Sequence, residues 1–275
     1  MQYDLDVLGM PKKHVERERE MNIPSFLYRF YEGLLRRQVF ASRMPHHVGL
    51  IVDGNRRYAM AKGLAKRSDG HRVGSDKLED FLSWCLDLKI KIVTLYGFST
   101  ENYNRSEDEV SEVMEIILDK LKTLQTDPVI QREGVKVRVI GQRQALSKEM
   151  VQEIEAVEKM TQNHENFQLN IALGYGGRAE IIDAVREIST KVQAGELAPE
   201  QINEELFSDH LYTEGMPDPD LIIRTSGEER LSGFLLWQSA YSELYFTEVF
   251  WPAFRKIDYW RAIRVWQQRD RRFGA

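Results

Sequence analysis

The sequence predicts an α/β protein, a single domain with a mainly parallel central sheet flanked by helices. Three observations carry that expectation. Short apolar, β-branched runs alternate with longer segments of helical periodicity from residue 46 onward. Polar, arginine-rich clusters follow the runs that end near residues 52, 98 and 224, and in parallel sheets ligands bind beyond the carboxyl ends of the strands. No internal repeat, low-complexity tract or interior linker divides the 275 residues, a length that can bury a large core.

Composition narrows the class. Hydrophobic residues make up 42% and charged residues 29%, the balance of a soluble globular chain. A net charge of −5 argues against a dedicated nucleic-acid binder, although residues 255–272 hold seven Lys and Arg against Asp258 and Asp270. The single cysteine, Cys85, excludes an intrachain disulfide and fits a reducing cytoplasm. It falls in the pattern Leu78, Phe81, Leu82, Cys85, Leu86, a core position rather than a nucleophile. The N-terminus shows no apolar run suited to a signal peptide, and no stretch of eighteen apolar residues predicts a membrane span.

Residues 1–22 are polar and read as a loosely docked arm. Residues 24–40 place Leu27, Phe30, Tyr31, Leu34 and Leu35 at helical spacing, with Arg29, Arg36 and Arg37 elsewhere on the surface. A helix packed on the domain is the expectation; contact with lipid, or cover over an apolar cavity, is the sharper alternative. Residues 1–44 are thus an N-terminal extension with an amphipathic helix, and 45–275 the main domain.

His46-His47-Val48-Gly49-Leu50-Ile51-Val52 has the length and content of a buried strand. It runs into Asp53-Gly54-Asn55-Arg56-Arg57-Tyr58, a carboxylate, a glycine, an amide and two arginines together. Such a set suits a diphosphate with its metal, the carboxylate holding Mg²⁺, the guanidinium groups the oxygens, and a helix N-terminus adding positive charge. Taken alone, the same stretch is equally an ordinary turn before a solvated helix. A helix over 58–62, a polar loop over 67–72 and a helix over 74–88 follow, then a strand over 90–98 ending in Ser99-Thr100-Glu101-Asn102-Tyr103-Asn104-Arg105. The helix over 107–124 lines up Val110, Val113, Met114, Ile117, Leu121 and Leu124, a stripe that serves a core or the wall of an apolar tunnel.

A strand over 135–140, a helix over 147–162, a strand over 167–173 and a helix over 177–192 continue the alternation. Gly174-Tyr175-Gly176-Gly177-Arg178 lacks the GxGxxG fingerprint and reads first as a tight turn; GxxxxGK[ST] is absent. Strands are expected over 221–224, 234–237 and 244–246, with Glu243 between the last two, and Asp258 caps a final helix. The clustered Arg56, Arg57, Arg67, Arg105, Arg224 and Arg230, with Asp53 and Glu243, suggest a substrate carrying more than one phosphate, bridged by Mg²⁺. A cationic mouth above long apolar stripes suits a diphosphate head with a hydrocarbon tail.

Five ordered blocks then resemble the cis-prenyltransferases, the family of undecaprenyl and dehydrodolichyl diphosphate synthases. They begin at His47, Thr94, Asn170, Asp220 and Glu243, the fourth running through Arg230-Leu231-Ser232 to Gln238, and the match spans about residues 45–274. The resemblance implies condensation of isopentenyl diphosphate onto an allylic diphosphate of C10–C20, with a new cis double bond in each cycle and a medium- or long-chain product. It implies that Asp53 binds Mg²⁺, with Glu243 completing the metal site. Gly54, Asn55, Arg56, Arg57, Arg67 and His71 would surround the allylic diphosphate, and Arg224, Arg230 and Ser232 would hold isopentenyl diphosphate. Tyr58, Thr100, Glu101, Tyr103, Arg105 and Leu231 would also bind substrate. Ser99 and Asn102 would sit by the departing proton, Asn102 being the family's suggested acceptor, although an amide is a poor base and a diphosphate oxygen serves as well.

Each role has a structural alternative: Asn102 as a cap for a helix near Ser106, Glu243 as a strand-edge carboxylate, His71 as a hydrogen-bonded loop residue. Arg56 in place of Gly, Tyr58 in place of Trp and a longer 63–71 loop depart from the bacterial pattern toward the archaeal and eukaryotic branch. Arg272-Phe273-Gly274 resembles the C-terminal Arg-x-Gly that crosses a dimer, so Arg272 and Gly274 join the expected substrate-binding residues and a homodimer is expected. Gly97 hints at a medium or long product. A non-catalytic subunit on the same fold is disfavoured by Asp53, Asn102, Arg224, Arg230 and Glu243, and an all-helical trans-prenyltransferase by the lack of DDxxD.

Overall fold

The computed structural model describes residues 25–269; the expected 1–22 arm and the Arg272–Gly274 motif lie outside them. Six strands, β1 (His47–Ile51), β2 (Ile92–Ser99), β3 (Val135–Ile140), β4 (Phe167–Tyr175), β5 (Leu221–Arg224) and β6 (Glu243–Phe246), form one sheet. Its order is β3-β4-β2-β1-β5-β6 and every neighbouring pair is parallel. β1 lies between β2 and β5, with Ile51 level with both Tyr96 and Arg224. The chain segments leaving these three strands therefore emerge side by side.

Period-two alternation divides the sheet between two apolar layers. Leu50, Leu95, Val139, Ile171 and Ile223 join the larger core, and their neighbours Ile51, Tyr96, Ile140, Ala172 and Ile222 the smaller one. The larger core is closed by α3 (Arg67–Asp87), α4 (Glu107–Thr126), α6 (Lys148–Thr161) and α9 (Lys256–Gln268), which supply Phe81, Val113, Ile154 and Ile263. Cys85 is fully buried there beside the Tyr259 hydroxyl. The helix α1 (Ser25–Phe40) packs on α9 and inserts Leu35 and Val39 into the same core. Over the smaller core lies the 231–240 segment, which contributes Phe234 and Leu235.

With both faces apolar, hydrophobicity alone does not fix the strand register, because a one-residue slip exchanges one apolar face for another. A buried polar row fixes it. The His47 Nδ1–H donates to the Pro217 carbonyl at 2.8 Å, which leaves Nε2 to accept from the Thr94 hydroxyl at 2.8 Å. Thr94 Oγ in turn accepts from Asn170 Nδ2 at 3.0 Å, so one chain of bonds crosses β1, β2 and β4. A slip would leave these buried groups unpaired, at a cost of about 1–3 kcal/mol each.

Three expected elements differ. Residues 67–72 are the first turns of α3 rather than a loop: Asp69 folds back to accept from the Lys66 N–H at 2.9 Å, which starts the helix seven residues early. Gly70 and Gly74 do not break it but let it approach its neighbour, since an added Cβ would lie 2.1 Å from the Asn55 backbone oxygen and 2.1 Å from Asn55 Oδ1 respectively. Residues 234–237 are turns, not a strand, because Ser232, Gly233 and Leu235 all take positive φ. The 58–62 helix begins earlier, as α2 (Asn55–Ala61), its N-cap being Gly54 with φ 97 and no capping side chain. Asp258 is not the N-cap of α9, which is Arg255; it lies at the third position of the helix and reaches back to accept from the Arg255 N–H at 3.2 Å.

Burial pushes the His47 pKa from 6.5 down to about 4, against the opposing pull of the Pro217 carbonyl and Asp220. A neutral His47 therefore stabilises the fold fully above pH 6.5, and the contribution is lost as pH falls toward 4. Denaturant titrations between pH 7 and 4.5 should show this group removing about 2–3 kcal/mol of stability, and His47→Gln should flatten that slope. Equal slopes in the two proteins would exclude His47 from the acid limb.

Candidate active site

Asp53 leaves the end of β1 with its backbone held on three sides. Its N–H donates to Thr225 Oγ1 at 3.0 Å, and its carbonyl accepts from the Thr225 hydroxyl at 2.7 Å and the Trp251 N–H at 3.0 Å. The carboxylate accepts from the Gly54 N–H at 2.6 Å through one oxygen and from Arg224 Nη2 at 2.9 Å through the other. Gly54 is required here twice over, by its left-handed φ and because a Cβ would lie 2.8 Å from Ser226 Cβ.

Arg224, at the end of β5, is the buried member of the site, its side chain 5% exposed against 31% for Asp53. Its Nη1 donates to Ser232 Oγ at 2.8 Å and to the Arg230 carbonyl, while its Nε is buried without a partner. Arg57 reaches Asp53 at 3.6 Å, Glu228 at 3.3 Å and the Ser226 hydroxyl, and Arg230 pairs with Glu228. A second cluster gathers on Glu109, which accepts from Arg105 at 3.0 Å and pairs with Arg56 at 3.4 Å. Ser99 and Asn102 face one another at the end of β2: Asn102 Oδ1 accepts from the Ser99 N–H at 3.0 Å and does not cap the helix after Ser106.

Of these groups Asp53, Ser99, Asn102, Arg105, Arg224 and Ser232 line a cavity of about 520 Å³. Asp53, Asn55, His71, Asn102, Arg224 and Ser232 line its mouth. Inward it becomes apolar, walled by Leu95, Phe98 and Leu173 of the sheet and by Val113, Ile117, Leu121 and Leu124 of α4. The α4 stripe is both core and tunnel wall.

A family model for undecaprenyl diphosphate synthase matches residues 51–274. The chain belongs to that family of prenyltransferases. It is 48% identical, over 98% of both chains, to a geranylgeranyl-diphosphate-specific tritrans,polycis-undecaprenyl-diphosphate synthase from Methanopyrus kandleri. It is 51% identical to an isoprenyl transferase from Thermus thermophilus, over 90% of this chain and 95% of that one. Lavandulyl diphosphate synthase from Lavandula x intermedia, solved with dimethylallyl diphosphate, superposes with a TM-score of 0.81 at 35% identity, covering 84% of this chain and 99% of that one. A "probable undecaprenyl diphosphate synthase" from Campylobacter jejuni gives 0.69 at 29% identity, covering 85% and 100%.

Not every expected site residue of this cis-prenyltransferase meets at the mouth. Glu243 opens β6 level with Leu221, at the opposite end of the sheet from Asp53, and its carboxylate takes Arg269. Parallel pairing to β5 imposes that separation, so within one chain Glu243 does not join Asp53 at a metal. Tyr103 packs edge-on to Phe98 and donates to the Ala145 carbonyl at 3.3 Å, and Leu231 packs into the smaller core. Arg67 is exposed at the start of α3, Tyr58 is half-buried on α2, and Thr100 is half-buried against Gly176. Gly176 and Gly177 serve packing, since a Cβ on them would lie 2.5 Å from Thr100 Oγ1 and 2.6 Å from the Gly233 oxygen.

The carboxylates that hold the arginines are Glu109 and Glu228, to neither of which the sequence assigns a role. The Arg105–Glu109 spacing of four is a legible signal for Glu109 alone. Trp251 was missed too; its indole donates to the Gly74 carbonyl at 2.7 Å from a stretch without motif character.

His71 projects from α3 with Nε2 buried and unpartnered. Burial, then the nearby Arg105 and Arg56 cations, push its pKa from 6.5 to about 4, with Glu109 and Glu112 opposing. A diphosphate beside it would supply the missing acceptor and reverse the field. In NMR titrations His71 should titrate near pH 4 in the free protein and at least one unit higher with Mg²⁺ and inorganic pyrophosphate. An unmoved titration with the anion bound would separate His71 from the diphosphate site.

Proposed function

We propose that this enzyme extends geranylgeranyl diphosphate with successive isopentenyl diphosphate units to a long-chain cis-polyprenyl diphosphate, a glycosyl-carrier lipid precursor. The observation that carries this reading is the direct opening of the Asp53–Arg224–Ser232 mouth into the apolar cavity. The primer follows the geranylgeranyl-diphosphate specificity named for the Methanopyrus kandleri relative and for similar ones from Picrophilus torridus and Thermoplasma acidophilum, 47% and 48% identical.

In each cycle the allylic C–O bond breaks and diphosphate leaves with the electron pair. The isopentenyl double bond attacks the allylic carbon, and a proton is lost as the new double bond forms. Arg56, Arg57 and His71, with Gly54 and Asn55, are assigned to the leaving diphosphate. Arg224, Arg230 and Ser232 are assigned to isopentenyl diphosphate. Stabilising the departing anion is the main electrostatic task. Asn102 commits its carbonyl oxygen to the Ser99 N–H, which suits it to orienting the isopentenyl unit, while a diphosphate oxygen takes the proton.

Asp53 is the Mg²⁺ ligand in this reading. No group of three His, Cys, Asp or Glu side chains that could hold a metal occurs among the described residues. Mg²⁺ keeps several waters and binds through one or two carboxylates and substrate phosphates, and the Asp53 carboxylate at the cavity mouth would be one such ligand. When bound, the ion would neutralise charge on the leaving diphosphate.

A homodimer is part of the proposal. Ile182 and Val185 of α7 (Gly177–Gln193), with Trp237 and Tyr241, expose apolar surface suited to a second copy, 78% exposed in the case of Tyr241. That copy would bring Arg272 and Gly274 to the substrate. Peripheral membrane contact is also proposed, supported by Phe30, Leu34 and Phe40, which lie exposed on α1. No described helix is long and apolar enough to cross a membrane.

Mass spectrometry of products made with Mg²⁺ and each of the C10, C15 and C20 primers tests the reading; a ladder favouring C10 or C15 would overturn the primer assignment. Asp53→Asn keeps an acceptor for Arg224 and should leave the fold intact while lowering kcat/KM by about 10²–10³-fold; full activity would exclude Asp53 from the metal site. Gly97 lines the cavity, and its added Cβ would lie 2.9 Å from Leu173 Cδ2. Gly97→Leu should therefore shorten the product, and an unchanged chain length would remove Gly97 from the tunnel wall.

A further inference from the structure

Among the described residues that line the tail cavity beyond the mouth, one is charged, Lys120. The other charged lining residues, Asp53, His71, Glu101, Arg105 and Arg224, belong to the mouth. Lys120 stands on α4 between Ile117 and Leu121, where the helical stripe calls for an aliphatic side chain. Its stem covers the wall while its ammonium group turns outward, as amphipathic side chains do at an apolar boundary.

The outward end is not idle. Lys120 Nζ lies 2.8 Å from Glu79 Oε1 and 3.2 Å from Asp76 Oδ1, both on α3, the helix that forms the facing wall through Ser75 and Leu78. Lys66 Nζ and Glu112 Oε1, 3.8 Å apart, join the two helices a second time nearer the mouth. At the level of Lys120 the flank of the cavity is thus bridged by an ion pair whose acidic partners are 70% and 64% exposed. Pairs so exposed contribute little to stability and exchange readily with water. They are suited to holding a seam that can yield.

We propose that Lys120 is a specificity-determining residue: by clasping α3 to α4 it closes the flank of the tail cavity and limits product length. A growing tail that meets the closed seam is confined to the apolar space between the helices and the sheet. Loss of the clasp lets the helices part and the tail extend between them. The inference rests on the reading of this cavity as the site of chain elongation.

The test compares product ladders from full-length protein with Mg²⁺, labelled isopentenyl diphosphate and geranylgeranyl diphosphate. Lys120→Glu places three carboxylates at the seam, and should lengthen the dominant product by one or more isoprene units and broaden the ladder. The double variant Asp76→Asn/Glu79→Gln alters only exposed positions and should do the same, which keeps the test open if Lys120→Glu misfolds. Combining Lys120→Glu with Asp76→Lys and Glu79→Lys should restore the wild-type ladder, a rescue that a packing role would not give. Wild-type ladders from both the single and double variants would overturn the proposal, as would a change that the charge swap fails to reverse. A wild-type protein yielding no product from any primer would instead overturn the elongation reading on which it rests.

Discussion

The site depends on one buried cation. Arg224 ends a buried strand one place in from the edge of a parallel sheet, where an uncompensated charge would cost several kcal/mol. It is tolerated because Asp53 meets it at 2.9 Å and Ser232 and the Arg230 carbonyl take its other nitrogen. Those contacts tie the ends of β1 and β5 and the turn after Gly227 into one rigid rim. The same bonds orient Asp53, whose half-exposed carboxylate turns toward the cavity. A guanidinium held this firmly has little conformational freedom left to lose when an anion arrives, so the binding geometry is set by folding.

The free protein carries counter-ions in place of substrate. Glu228 holds Arg57 and Arg230, and Glu109 holds Arg56 and Arg105, so the cationic rim is locally neutralised rather than self-repelling. These pairs are partly exposed and individually weak. In the proposed reading a diphosphate with its metal would offer each guanidinium a bidentate partner of higher charge, so that Glu could exchange for phosphate oxygen without moving the backbone. Arg224 differs: its partners are structural, and Nε is its one nitrogen without a partner.

Much of this was legible in the sequence because parallel sheets write themselves plainly. Strands buried on both faces read as apolar runs, and the polar clusters after Val52, Phe98 and Arg224 could converge only at a shared edge. What stayed hidden depended on tertiary partners. Gly70 and Gly74 look like helix breakers until Asn55 is seen pressed against them, and the Phe234-Leu235-Leu236-Trp237 run looks like a strand until positive φ values at Ser232 and Leu235 show it folded into turns. Glu243 followed a motif correctly in sequence, but parallel pairing carried it to the far end of the sheet. Glu109 carried no motif at all and is identified only by the arginines that reach it.

The cavity itself shows why such a fold suits a lengthening apolar tail. A sheet packed by helices normally fills the space between them with side chains, and an unfilled volume forfeits contacts in proportion to its size. Here α3 is held to α2 by glycines and to α4 largely at its polar margin, so the interior between α3, α4 and the sheet is left open without loosening the core beneath α6 and α9. The stabilisation forgone is recovered when a hydrocarbon chain enters, at roughly 0.8 kcal/mol for each buried methylene. In the proposed reading every isoprene unit added would therefore improve the packing of the enzyme that adds it, until the cavity leaves no further surface to cover.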